Sequence, residues 1–313
     1  MINSNQPHQW KEDTRASVDL YNDWFMRFAP EAFRESRINA TRIVEKAFTN
    51  TDYLRDITTL SLRTNPSMFP VLRMSTCPPL AVDRLMGLAD VSKSIIQQLE
   101  KKETLSRLIT DVHLARIISI IDRLLDRDIF PWLGASSDPA QEDAHRAATI
   151  VADRYCGALT NPIIRNAQEQ RQLAMIQAWL EARGYTKLPS TQGVNMRNMP
   201  AGTFSFRMNI PVHQGSASVN IPVDAVIQPL SAAPGEFPIL IEAKSAGDFT
   251  NVNKRRKEEA QKFTQLKHTF GDSVRFVMFL CGYFDGGYLG YSAAEGLDWV
   301  WEHRVNDLEK LGL

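Results

Sequence analysis

Apolar and polar positions follow one period in the first half of the chain and another in the second. The stretch "SKSIIQQLEKKETLSRLITDVHLARIISIIDRLLDR" spaces its apolar residues three and four apart, with no glycine or proline. That is the period of an amphipathic helix, and several packed helices are expected from about residue 9 to residue 128. "FPWLGASSDPAQED" breaks the pattern, and Asp138-Pro139 has the chemistry of a helix start, a capping side chain before a proline at the first helical position. The domain boundary is placed here, with a helical N-terminal region over 1–137 and a second domain over 138–313.

A further helix is expected to start at Asn161-Pro162 and to end before Gly184. The period then changes to two. "GTFSFRMNIPV" alternates, "HQGSAS" reads as a turn, and "VNIPVDAVIQPL" alternates up to Asp224. "FPILIEAK" reads as a strand buried on both faces. A helix over 251–270, the strand "VRFVMFLCGYF" and a closing helix over "SAAEGLDWVWEHRVNDLEKLG" complete the pattern. The order helix, three strands, helix, strand, helix predicts an α/β (α+β) fold, a mixed sheet flanked by helices.

Composition narrows the classes. The chain has 313 residues, 43% hydrophobic and 23% charged, with zero formal net charge. These are the values of a globular chain, and nothing global points to nucleic acid. Cys77, Cys156 and Cys281 lie far apart, with no CxxC pair and no histidine cluster, which argues against structural zinc and for a reducing compartment. No apolar run is long enough to span a bilayer, so a soluble cytoplasmic protein is expected. The six histidines show no zinc-ligand spacing. The glycine-rich "CGYFDGGYLGY" lacks the Gly-Lys-Ser/Thr of a phosphate loop and reads as an exposed turn between strands.

The candidate chemistry sits at Glu242-Ala243-Lys244, where the buried strand ends. An acid-x-lysine pattern is weak alone, and Glu100-Lys101-Lys102 repeats it on a helix end. In a strand, however, residues two apart share a face, so Glu242 and Lys244 project together. If the preceding strand is a neighbour, Asp224 approaches Glu242. Two adjacent carboxylates repel and favour a bound cation, and oxygen ligands with positions left for water and phosphate suit Mg²⁺. A lysine beside that metal can orient or deprotonate the attacking water. Ordinary ion pairs, Glu242–Lys267 or Asp224–Lys244, fit the same spacing. From Lys244 to Lys267 seven cationic side chains face three acids. The polar "SAGDFTN" between strand and helix suits hydrogen bonds to phosphates or base edges. A solvated face with pairs such as Arg255–Glu259 would have the same composition.

Asp224, Glu242-x-Lys244 on a buried strand and a following basic helix resemble the PD-(D/E)xK nuclease superfamily. "PAGTFSFRMNIPV", "IEAKSAGDFTNVNKRRKEEAQKF", "FLCGYFDGGYLGY" and "EGLDWVWEHR" resemble the XamI-type group of type II restriction endonucleases. The resemblance is specific over the last 150 or so residues, and "QWKEDTRASVDLY" extends it loosely to the N-terminus. It implies a Mg²⁺-dependent, sequence-specific double-strand DNA endonuclease of the bacterial cytoplasm that leaves 5′-phosphate and 3′-hydroxyl ends. In it Asp224, Glu242 and the Ala243 carbonyl hold the metal, and Lys244 positions the water and neutralises charge. One departure is that Val223 separates Pro222 from Asp224, whereas the superfamily's proline directly precedes its aspartate.

Glu169 is a further candidate carboxylate, on a stripe with Leu173, Ile176 and Leu180, although a pair with Arg165 and a stripe that ends before Glu169 are the plainer alternatives. Candidate DNA contacts are Ser245, Asp248, Thr250, Asn251, Asn253, Lys254, Arg255 and Arg256. The resemblance further implies a palindromic target, GTCGAC being one candidate, a homodimer to match it, and a cognate DNA methyltransferase. The N-terminal helices are expected to dimerise, contact DNA or buttress the catalytic domain. A structure-specific or repair nuclease, or a non-catalytic DNA-binding protein on the same fold, remain the alternatives.

Overall fold

A computed structural model describes residues 1–101, 104–135, 137–189, 196–214, 217–248 and 252–313, without the side chains at 197, 214, 217 and 252–256. The helical period of the first half yields α1 (Trp10–Asn50), α2 (Thr59–Thr64), α3 (Phe69–Met74), α4 (Val82–Ala89), α5 (Lys93–Lys101) and α6 (Asp111–Leu124), followed by α7 (Gln141–Glu181). The apolar stripes meet in one core that includes Val44, Leu62, Leu72, Leu85, Ile96, Ile117 and Phe130.

The chain divides into two compact units, Met1–Phe28 with Arg165–Leu313, and Ala29–Ile164. The boundary expected at 137/138 falls inside the second unit, and the first 28 residues join the sheet-bearing unit. Backbone amides of Asn3 and Ser4 both donate to Asp298 Oδ1 at 3.0 Å, which ties the N-terminal segment into that unit. The helix expected to start at Asn161-Pro162 does not start there, because α7 runs through Pro162. Proline removes one helical hydrogen bond. The helix persists because Val151, Ala152 and Cys156 on one side, and Leu173, Ile176 and Leu180 on the other, are each buried in a core. α1 likewise carries Pro30 next to its unit boundary.

The remaining elements are β1 (Thr186–Lys187), β2 (Thr203–Gln214), β3 (Ala217–Gln228), β4 (Ile239–Ala246), α8 (Val252–Phe270), β5 (Arg275–Gly282), α9 (Gly286–Ala294) and β6 (Asp298–Trp301). They form one mixed sheet in the order β1-β2-β3-β4-β5-β6. β2–β3 and β3–β4 are antiparallel, whereas β1–β2, β4–β5 and β5–β6 are parallel. One face, with Leu240, Met278 and Leu280, packs with Phe263 and Leu266 of α8 and Leu289 of α9. The other face, with Ile239, Ile241 and Phe279, packs with Leu173, Ile176 and Leu180 of α7. The expected mixed sheet flanked by helices is present.

The β2–β3 hairpin changes faces halfway along. Phe204 and Phe206 pack on the α7 side, while Met208, Ile210 and Val212, of the same parity, pack on the α8 side. β3 makes the same switch between Ala225 and Val223. Regular strands cannot do this, because alternate residues share a face. The switch falls at Arg207, whose φ of 54° is left-handed, opposite Asp224. Asp224 therefore lies inside β3 rather than at its end.

Two further expectations are corrected. The glycine-rich stretch is not an exposed turn: Cys281 and Gly282 end β5, and the Asp285 side chain caps α9 by accepting from the Tyr288 backbone N–H at 2.8 Å. The expected closing helix is instead the end of α9, then β6, then a 3₁₀ segment Glu302–Leu311. Gly296, at φ 79°, terminates α9, and the aromatic and β-branched run Trp299-Val300-Trp301 is fully buried as a strand.

Gly282 sits at φ 99°, where an added Cβ would lie 2.1 Å from the Ala246 carbonyl oxygen of the neighbouring strand. A side chain there meets both backbone strain and a clash. Gly282→Ala is expected to lose about 2–4 kcal/mol in urea unfolding; an unchanged midpoint would show that the β4–β5 ends have room to part.

Candidate active site

β4 pairs with β5 along its whole length, but its described pairing to β3 stops at Ala225–Ile241. The next residues, Asp224 and Glu242, mark where the two strands separate. Asp224 Oδ2 accepts from the Ala243 backbone N–H at 2.8 Å, so a side chain satisfies a group that a continuing ladder would have paired.

Strand alternation puts Glu242 and Lys244 on the α8 side of β4, as their spacing predicts. Lys244 Nζ lies 3.0 Å from Glu242 Oε1 and 3.2 Å from Glu259 Oε1. Lys262 Nζ donates to Glu242 Oε1 and to the Pro222 carbonyl, each at 2.7 Å. Three carboxylates and two ammonium groups thus share one largely buried site, an excess of one negative charge if all are ionised. The side chains of Glu242 and Glu259 are 5% and 2% exposed, Lys244 26%.

The electrostatics follow from that arrangement. Burial, reinforced by the Glu242 charge, lifts the Asp224 carboxyl to about 6, against partial relief from Lys244 and the Ala243 N–H. Burial alone would lower Lys244, but Glu242 and Glu259 outweigh it and raise its pKa above the ordinary lysine value. The two carboxylates therefore favour the protonated form of Lys244, which suits the expected role of orienting water.

The donor set fits a hard divalent cation. Among the described residues the buried Glu242 Oε2 accepts no hydrogen bond, while Asp224 contributes a second carboxylate whose ionised form a nearby cation would favour. Among the described residues no group of three or more His, Cys, Asp or Glu side chains is arranged to hold a metal ion. Any metal here would rest on two side-chain carboxylates, with backbone oxygen such as that of Ala243, and water.

Other expected residues are placed less centrally. Glu169 accepts from Arg207 Nε at 3.1 Å and pairs with Arg207 Nη2 at 2.9 Å, not with Arg165, and its charge adds to the lift on Asp224. The buried stripe of α7 runs through Gln168 and Gln172 at this level, leaving Glu169 half-buried. Ser245 is half-buried near the end of β4, and Asp248 is exposed just beyond it. Thr250 and Asn251, and the side chains of Asn253, Lys254, Arg255 and Arg256, lie outside the described residues. The alternative Glu242–Lys267 pair does not form; Lys267 lies over the Phe263 ring at 4.9 Å.

Sequence reasoning missed Glu259, Lys262 and Gln172. Glu259, Phe263 and Leu266 form the buried stripe of α8, a helical spacing that was readable beneath the basic run. Gln172 is 1% exposed and donates to the Lys244 and Phe279 carbonyls at 3.3 and 3.2 Å, fixing β4 and β5 from the opposite face. No sequence signal marked it.

Comparison with known proteins now decides the family. The profile of the XamI restriction endonuclease family matches residues 52–301. This chain belongs to that family. It is 52% identical, over the whole of both chains, to the type II restriction enzyme SalI of Streptomyces albus G. No solved structure matches it. The protein is a type II restriction endonuclease, a sequence-specific DNA endonuclease. Among the described residues no helix is long and apolar enough to cross a membrane.

Asp224 has a raised folded-state pKa, so its contribution favours folding fully below its ordinary value of 3.8 and is lost as pH rises through about 6. Asp224→Asn, which retains an acceptor for Ala243, is expected to unfold at higher urea than wild type at pH 8. The expected gain is about 1–3 kcal/mol, shrinking as pH falls from about 6 to about 4. A pH-independent difference would show that Asp224 is not the destabilising charge.

Proposed function

We propose that Asp224 and Glu242, with the Ala243 carbonyl, hold Mg²⁺ for hydrolysis of DNA phosphodiesters, leaving 5′-phosphate and 3′-hydroxyl ends. The observation that carries this reading is the buried, unpaired Glu242 Oε2 beside Asp224, with Lys244 Nζ 3.0 Å from the other oxygen of the same carboxylate. When bound, the ion would polarise the scissile phosphate and acidify its water. Asp224 keeps one oxygen on the Ala243 N–H, which fixes its orientation and would leave the other oxygen for the ion. Lys244, held protonated, donates hydrogen bonds to the attacking water and offsets charge building on the phosphate. Lys262 stays on Glu242 and the Pro222 carbonyl, holding α8 against the strand that carries Asp224.

The basic segment beyond β4 supplies the DNA contacts in this reading. Lys254, Arg255 and Arg256 clamp phosphates or read guanine, and Ser245, Asp248, Thr250, Asn251 and Asn253 address phosphates or base edges. A palindromic target fits a two-fold homodimer, and a cognate methyltransferase would protect host DNA in the cytoplasm. The N-terminal helices would dimerise, contact DNA or buttress the catalytic domain. Glu169, committed to Arg207, acts on the site through its charge rather than as a metal ligand.

Digestion of plasmid DNA carrying GTCGAC, with Mg²⁺ or with EDTA, tests the reading. Wild type is expected to give discrete bands only with Mg²⁺, and Lys244→Ala to cut at least about 100-fold more slowly. Cleavage in EDTA, or full activity of Lys244→Ala, would contradict it. In the same assay Glu169→Ala is expected to lose less than about tenfold and to keep its Mg²⁺ half-saturation, whereas Asp224→Ala loses cleavage altogether. A large rise in the Mg²⁺ requirement of Glu169→Ala would make Glu169 a ligand.

A further inference from the structure

Glu259 is a carboxylate that the hydrolytic reading above does not use, and its surroundings are unfavourable to it. It stands on the apolar stripe of α8, 2% exposed, one turn from Phe263 and two from Leu266. Burying a charge there costs free energy, and a buried ion pair is often no more stabilising than well-packed apolar side chains of similar volume. Stability alone therefore does not account for an acid at this position.

Its contacts give it a task. Glu259 Oε1 forms a second ion pair with Lys244 Nζ at 3.2 Å, beside the one to Glu242 at 3.0 Å. The fully buried Tyr288 of α9 donates its hydroxyl to Glu259 Oε2 at 3.4 Å, steadying the carboxylate from behind. Glu242 cannot anchor Lys244 alone. Its Oε1 already accepts from Lys262 at 2.7 Å and lies 3.0 Å from Lys244, while its Oε2 is the oxygen offered to the metal in the reading above. A flexible lysine tied only to Glu242 would lose its anchor when that carboxylate turns to a metal, or would compete with the metal for it.

We propose that Glu259 is a positioning residue for the nuclease reaction, holding the Lys244 ammonium in place when Glu242 is committed elsewhere, with Tyr288 fixing Glu259. This rests on the reading of Asp224, Glu242 and Lys244 given above. Glu259 touches neither the DNA nor the metal in this scheme, so its removal lowers turnover and leaves binding of both unchanged.

Steady-state cleavage by full-length wild type, Glu259→Gln, Glu259→Asp, Tyr288→Phe and Lys244→Ala tests it, with DNA affinity measured separately in Ca²⁺. Glu259→Gln is expected to lower kcat about 10–100-fold, with KM, DNA affinity and Mg²⁺ half-saturation within about twofold of wild type. Glu259→Asp should recover part of the loss, and Tyr288→Phe should show a smaller decrease of the same kind. Wild-type turnover in Glu259→Gln overturns the proposal. So does a Mg²⁺ half-saturation raised tenfold or more, which would make Glu259 a metal ligand. A parallel loss of DNA affinity and melting temperature also overturns it, since that is the signature of a structural role. Failure of the underlying reading is separable: it shows as full activity in Lys244→Ala, whatever Glu259 does.

Discussion

The structure of the site depends on the parting of β3 and β4 at Asp224. A regular ladder would have carried the Ala243 N–H to a backbone acceptor and closed the gap between the strands. Here the Asp224 carboxylate takes that hydrogen bond, so β4 continues beside β5 while β3 turns away with the hairpin. The left-handed Arg207 opposite Asp224 exchanges the faces of the hairpin at the same level. Strained backbone of this kind persists only where surrounding packing fixes it, and it clusters at functional sites. The parting leaves two carboxylates near one another, and among the described residues the buried Glu242 Oε2 has no hydrogen-bond partner.

That arrangement carries a cost the protein does not remove. Asp224 ionises with difficulty, Glu242 keeps one buried oxygen unpaired, and Glu259 lies within an apolar stripe. Lys244 and Lys262 offset part of the repulsion without cancelling it. With all five groups ionised the site carries an excess of one negative charge, and a divalent cation proposed there would reverse its sign before a phosphate arrives. Membership of the XamI restriction endonuclease family, and full-length similarity to a type II enzyme, give this arrangement its setting.

Much of this was legible in the sequence because strand alternation is rigid. Glu242 and Lys244 had to share a face, and the buried run before them placed that face inside the sheet. Asp224 was found as a neighbour but misread as a strand end, because the chain's alternation gives no warning that an arginine will adopt a left-handed φ. Glu259 and Lys262 were obscured by composition: a run of basic residues suggests a solvated face, while the three- and four-residue spacing with Phe263 and Leu266 says otherwise. Asn161-Pro162 has the chemistry of a helix start, and tertiary burial on both sides overrode it. The final strand was hidden in a run whose charged ends suit a helix, and only its pairing with β5 distinguishes Trp299-Val300-Trp301.

The central claim is the proposal that Glu242 and Asp224 hold a divalent cation. Titrating Mn²⁺ into the protein–DNA complex and following free Mn²⁺ by electron paramagnetic resonance tests it without relying on cleavage. Wild type is expected to bind the ion, and Glu242→Gln to bind it at least about tenfold more weakly, with DNA still bound. Equal Mn²⁺ affinity in the two proteins would contradict the account.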